Sequence, residues 1–212
     1  SFEDHRFNIV LACRQSGKSI AVVAYLLWYV IFKGEQVVGV LANKNAIARE
    51  MLARITLMLE NLPFFLQPGC TTLNKGSIGF SNNSRIIAAA TSSSSIRGMS
   101  LNLVYLDEFA FVENATEFYT STYPVISSGK TSKIIITSTA NGIGNMYHKL
   151  YEGAIQGTNE FKSIRVDWWD VPGRDEKWKA MTIENTSQLQ FDQEFGNSFH
   201  GTGNTLITAD IL

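Results

Sequence analysis

Residues 11–20 read LACRQSGKSI, and Gly17, Lys18 and Ser19 form the second half of a phosphate-binding loop. Such a loop turns successive backbone N–H groups toward phosphate oxygens where a helix begins. In this chemistry Lys18 neutralises charge between the β- and γ-phosphates, and the Ser19 hydroxyl goes to Mg²⁺. Cys13, Gln15, Ser16, Gly17, Lys18 and Ser19 are therefore candidates for binding ATP, with Ser19 also a metal ligand. The usual pattern opens on a glycine, which gives the strand freedom to turn. Ala12 stands there instead, and serves if its φ is negative. A chance Gly-Lys-Ser is the plainer reading, and an apolar run on each side argues against it.

Arg14 lies inside this loop. An arginine that reaches the γ-phosphate stabilises transition-state charge, worth roughly 10³–10⁵ in rate, and from within the loop it acts in cis. The bland alternative is a surface arginine paired with a carboxylate. Residues 103–108, LVYLDE, end in Asp107 and Glu108. Nucleotide hydrolysis needs one carboxylate in the Mg²⁺ shell, a role that suits Asp107, and one to orient and deprotonate water, which suits Glu108. Alone, the pair also reads as a helix cap or turn. Thr137, Ser138 and Thr139 in TSTANG (137–142) place hydroxyls where a γ-phosphate would face and form a candidate coupling segment, although Asn-Gly is also a plain turn signal. Arg97, in the serine-rich SSSSIRGMS, is either a loop arginine in solvent or one that reaches a neighbour's nucleotide in a ring.

Buried strands are expected at 7–12, 36–42, 101–108 and 132–142, and a further strand at 161–168. Helices are expected at 17–32, apolar nearly all round and so buried, at 43–62 with Asn43 or Asn45 as cap, and at 143–156. Residues 71–90 read as small antiparallel strands with tight turns, 115–126 as a weak helix at best, and the remainder as a short helical region. Alternating strands and helices predict an α/β fold with an open, mostly parallel sheet. Ligands in such sheets sit beyond the carboxyl ends of the strands, and the loop, the carboxylate pair and the polar tip all fall at strand ends.

The 212 residues suit one domain of substantial core. A net charge of -1 lacks the basic surplus of a domain that coats DNA by charge alone. Cys13 and Cys70 make neither a disulfide framework nor a zinc cluster and fit a reducing compartment. His5, His148 and His200 are too scattered to suggest a metal site. The longest apolar run, 20–32, is too short to span a bilayer.

CRQSGKS, LVYLDEFAF, SSSIRGMS, PVISSGKTSKIIITSTANG and QFDQEFGNSFHGTGNTLI together resemble the large terminase subunit of tailed bacteriophages, close to its T4-like branch, over about residues 7–207. The resemblance implies a P-loop NTPase (RecA/ASCE-like) core and an ATP- and Mg²⁺-dependent motor that packages double-stranded DNA into a preformed capsid. It implies a portal protein and a small terminase subunit as partners, a homo-oligomeric ring, no membrane, and the host cell cytoplasm. It gives Lys18 and Ser19 to phosphate and Mg²⁺, Arg14 to action in cis, Asp107 to the metal, Glu108 to catalysis, 137–139 to coupling and Arg97 to action in trans. By the same resemblance, residues 1–160 are the ATPase core without its upstream adenine-binding segment. Residues 161–212 end that core and begin a smaller subdomain, and a nuclease domain would lie downstream. A helicase-like motor and a nucleotide-binding module without turnover are the competing readings.

Overall fold

In the computed structural model, residues 1–91, 98–127 and 129–199 are described. Eight strands among them form one sheet: β1 (Phe7–Ala12), β2 (Val37–Ala42), β3 (Cys70–Leu73), β4 (Ser77–Phe80), β5 (Arg85–Ala90), β6 (Leu103–Asp107), β7 (Lys133–Ser138) and β8 (Lys162–Val166). Their order across the sheet is β3-β4-β5-β2-β6-β7-β1-β8. From β5 to β8 every neighbouring pair is parallel. β3 and β4 add an antiparallel margin. The stretch 71–90 thus divides: its last strand, β5, is antiparallel to β4 but parallel to β2, and so belongs to the main sheet.

The helices are α1 (Lys18–Phe32), α2 (Asn45–Glu60), α3 (Ala115–Ser127), α4 (Met146–Gln156), α5 (Glu176–Asn185) and α6 (Gln188–Glu194). Strand parity decides which face each residue serves. Val38, Val40, Leu103, Tyr105 and Ile135 pack with α1 and α2. Leu41, Val104, Leu106, Ile134 and Ile136 pack with α3 and α4 on the opposite face. Each aliphatic side chain so buried contributes roughly 1.5–3 kcal/mol.

Three local expectations are corrected. α1 is not buried all round, since Ile20, Trp28 and Phe32 are exposed on its outer side. α2 is capped by neither asparagine: Lys44 is its N-cap and makes no side-chain cap bond, while Asn43 donates to the Phe111 carbonyl. α3 is a full 13-residue helix despite Pro124. Phe118, Thr122 and Ile126, four residues apart, are all buried, and this tertiary burial outweighs the proline's cost.

β8 lies against β1 in the same sheet. After it, α5 and α6 build a small aromatic lobe around Trp168 and Phe191, with Trp178 and Phe195 at its margin. Cys13 is buried in that lobe, so the phosphate-loop segment and the C-terminal helices share one small core.

Candidate active site

β7 is inserted between β1, which leads into the loop, and β6, which carries the carboxylates. Register places Thr137 beside Asp107 and Ser138 beside Leu11. The polar tip of β7 therefore lies between the two other motifs, at the carboxyl ends of the strands.

Ala12 is the last residue of β1 and pairs with Val166 of β8. It keeps an extended conformation, so the first glycine of the usual pattern is not needed. The turn's left-handed residues come later, at Gln15 (φ 57) and Gly17 (φ 82). Gly17 caps α1 without a side-chain bond, which leaves the first-turn N–H groups for an anion. Ser16 Oγ is buried without a hydrogen-bond partner among the described residues, an orphan that a phosphate oxygen satisfies.

Cys13 and Arg14 spend their backbone N–H groups elsewhere. Cys13 donates to the Val166 carbonyl at 3.0 Å and Arg14 to the Glu194 carbonyl at 2.8 Å. Burial pushes the Cys13 thiol up, partly offset by Arg174 beside it. The Cys13 and Arg14 N–H groups are thus already paired, and the first loop N–H without a backbone partner of this kind is that of Gln15. Gln15, Ser16, Gly17, Lys18 and Ser19 line a cavity of about 330 Å³ together with Arg54 of α2.

Lys18 Nζ meets Glu108 Oε1 at 2.8 Å. Glu108 has left-handed dihedrals (φ 49, ψ 45), costly for a non-glycine residue and common where function holds strain. That turn sends its side chain off the β6 axis to Lys18, while Asp107 stays in strand register. Asp107 Oδ1 accepts from three hydroxyls: Tyr105 at 2.7 Å, Thr137 at 2.9 Å and Ser19 at 3.3 Å. All three bonds fall on Oδ1, leaving Oδ2 without a hydrogen-bond partner among the described residues. One carboxylate oxygen and one serine hydroxyl fit Mg²⁺, which takes few protein ligands and completes its shell with phosphate and water.

The tip hydroxyls lie against the two carboxylates. Thr137 is spent on Asp107. Ser138 accepts from the Ala110 N–H at 3.2 Å and lies 3.4 Å from Glu108 Oε2, as does the Thr139 N–H. Thr137 and Ser138 thus bond the two carboxylates. Thr139 lines a second cavity, of about 340 Å³, with Arg14, Asp107, Glu108 and Glu194. Arg14 lies there with its guanidinium 3.2 Å from the Glu194 carboxylate. Arg97 lies outside the described residues.

Tyr105 is not among the candidate residues of LVYLDE, although the sequence carries its signal: it precedes Asp107 by two and so shares its strand face. Burial, then the Asp107 charge, hold its phenol far above the ordinary value, so it remains a donor. Tyr105→Phe removes one of the three bonds and leaves a buried carboxylate less satisfied. The expected cost is about 1–3 kcal/mol, read by urea unfolding.

A mostly parallel sheet with a polar-tipped strand between the loop strand and the carboxylate strand defines a P-loop NTPase of the additional-strand type. The family model described as "Terminase large subunit, T4likevirus-type, N-terminal" matches residues 9–212, and the chain belongs to that family. Among solved structures, the chain is similar to the Thermus phage P74-26 large terminase ATPase domain, at 21% identity and TM-score 0.76 over 92% of this chain and 89% of that one. The bacteriophage HK97 large terminase matches at 18% identity and TM-score 0.76, over 92% of this chain and 47% of that one. The large terminase of a thermophilic bacteriophage, in complex with ADP, matches at 14% and 0.73, over 92% and 48%. The chain thus spans about half the length of the latter two.

Proposed function

We propose that this chain hydrolyses ATP to drive double-stranded DNA into a preformed capsid, as the motor ATPase of a phage large terminase. The observation that carries the reading is the convergence of Lys18, Ser19, Asp107 and Glu108, from two strand ends, at the start of one helix. Gln15 to Ser19 hold the phosphates through backbone N–H groups, with Lys18 supplying the charge. ATP must part Lys18 from Glu108, which frees that carboxylate to take a proton from the water that attacks the γ-phosphorus as ADP leaves. Ser19 and Asp107 hold Mg²⁺, which when bound neutralises charge on the phosphate oxygens. Thr137 and Ser138 tie the β7 tip to both carboxylates, so a shift of either is felt at 137–139. Arg14 acts in cis. Arg97 acts in trans within a homo-oligomeric ring docked on the portal protein, with the small terminase subunit presenting DNA, in the host cytoplasm. No helix among the described residues is long and apolar enough to cross a membrane. Residues 1–160 serve as core and the α5–α6 lobe as the beginning of the smaller subdomain.

The test is a titration with a fluorescent ATP analogue and Mg²⁺, run beside Lys18→Ala. Loss of the Lys18 charge should weaken binding by about tenfold or more, since hydrogen bonds to charged groups are worth roughly 1.5–3 kcal/mol. Equal binding by the two proteins overturns the reading.

A further inference from the structure

Arg174 belongs to none of the motifs, yet it is bonded to three consecutive loop residues. Its guanidinium donates to Cys13 Sγ at 3.3 Å, to the Arg14 carbonyl at 3.0 Å and to the Gln15 carbonyl at 3.3 Å. The same group lies over the Trp178 ring at 4.7 Å and the Phe195 ring at 5.3 Å. Those rings hold its plane in place.

A peptide unit is planar and trans, so its C=O and the next residue's N–H point opposite ways. Fixing the Arg14 and Gln15 carbonyls outward therefore fixes the N–H groups of Gln15 and Ser16 in the opposite direction. These are the first two loop N–H groups not already spent on Val166 and Glu194. Gln15 is also left-handed without being glycine, a conformation that persists only when surroundings over-determine it. Arg174 supplies that constraint, and a planar fork with several donors satisfies two carbonyls and a thiol at once.

We propose that Arg174 is a positioning residue for the nucleotide's β-phosphate: it sets the direction of the Gln15 and Ser16 N–H groups and joins the loop's aim to the α5–α6 lobe. The inference rests on the reading that residues 15–19 bind nucleotide. Because the loop grips substrate and transition state alike, losing its aim raises KM and leaves kcat at saturation nearly unchanged.

The test uses Arg174→Lys and Arg174→Gln in the full chain, with Lys18→Ala alongside. Lysine keeps a cation over the two rings but loses the fork. We expect Arg174→Lys to melt like the parent, and to bind Mg-ADP and a fluorescent ATP analogue each about tenfold more weakly, with Arg174→Gln weaker still. KM should rise by the same factor. Binding by Arg174→Lys within about twofold of the parent, while Lys18→Ala loses binding, shows that Arg174 only fastens the lobe and overturns the proposal. So does loss of the fold in both Arg174 variants. Unchanged binding in Lys18→Ala overturns the nucleotide reading itself, and this inference with it.

Discussion

Glu108→Gln should abolish most ATP turnover while the nucleotide stays bound. The carboxamide keeps the shape of the side chain and an oxygen for Lys18, but loses both the charge and the basicity. A general base contributes roughly 10²–10⁴, and turnover should fall by about that factor. Binding should hold or tighten, because Glu108 occupies Lys18 at 2.8 Å and a phosphate must compete with it for that cation. The backbone supports this assignment. Glu108 is held left-handed at the end of β6, with Oε2 3.4 Å from the Ser138 hydroxyl and the Thr139 N–H. Such a conformation is costly for a non-glycine residue. Phosphate release gives the rate, and titration with the ATP analogue gives the affinity. Turnover within about threefold of the parent, against the general-base range above, sinks the assignment and moves the base elsewhere.

Arg14→Ala should lower turnover by about 10³–10⁵ with little change in nucleotide affinity or in melting temperature. Its ion pair with Glu194 involves a side chain that is 61% exposed, and exposed pairs contribute about 0–1 kcal/mol. Such a pair is easily exchanged for a terminal phosphate, which carries more charge. Arg14 already borders the cavity shared by Asp107, Glu108 and Thr139, so the exchange needs a side-chain swing and no strand movement. Glu194→Gln is the matching control: with the competing charge removed, turnover should hold or rise. A drop in both variants indicates that the Arg14–Glu194 pair holds the loop to α6. An unchanged rate in Arg14→Ala leaves it a surface arginine, the plainer of the two sequence readings.

Most of the sheet was legible because buried parallel strands read as short apolar runs, and FNIVLA, VVGVLA, LVYLD and KIIITS are such runs. Each ends where its polar residues begin, so the positions of the loop, Asp107, Glu108 and 137–139 on one edge follow from sequence. Composition and local pattern also set the two-sided alternation of core residues. α3 was legible only as a weak helix, because Pro124 and several β-branched residues argue against one locally, and burial of Phe118, Thr122 and Ile126 reverses that. The division of 71–90 escaped for a similar reason: strand direction is a property of the partner, and β5 finds β2 across a long sequence separation.

By itself, the sequence determined where the candidate chemistry lies: a Gly-Lys-Ser loop, two adjacent carboxylates and a polar tip, each at the end of an apolar run. Tertiary structure alone decided how they are wired. The insertion of β7 between β1 and β6 turns Thr137 and Ser138 onto the carboxylates. The left-handed turn at Glu108 pairs it with Lys18. Tyr105 completes the hold on Asp107, and Arg174 and Glu194 reach the loop from about 160 and 180 residues away in the chain. Hydrogen bonds of this kind act over about 3 Å, and proximity across such separations comes from the fold, not from any local pattern.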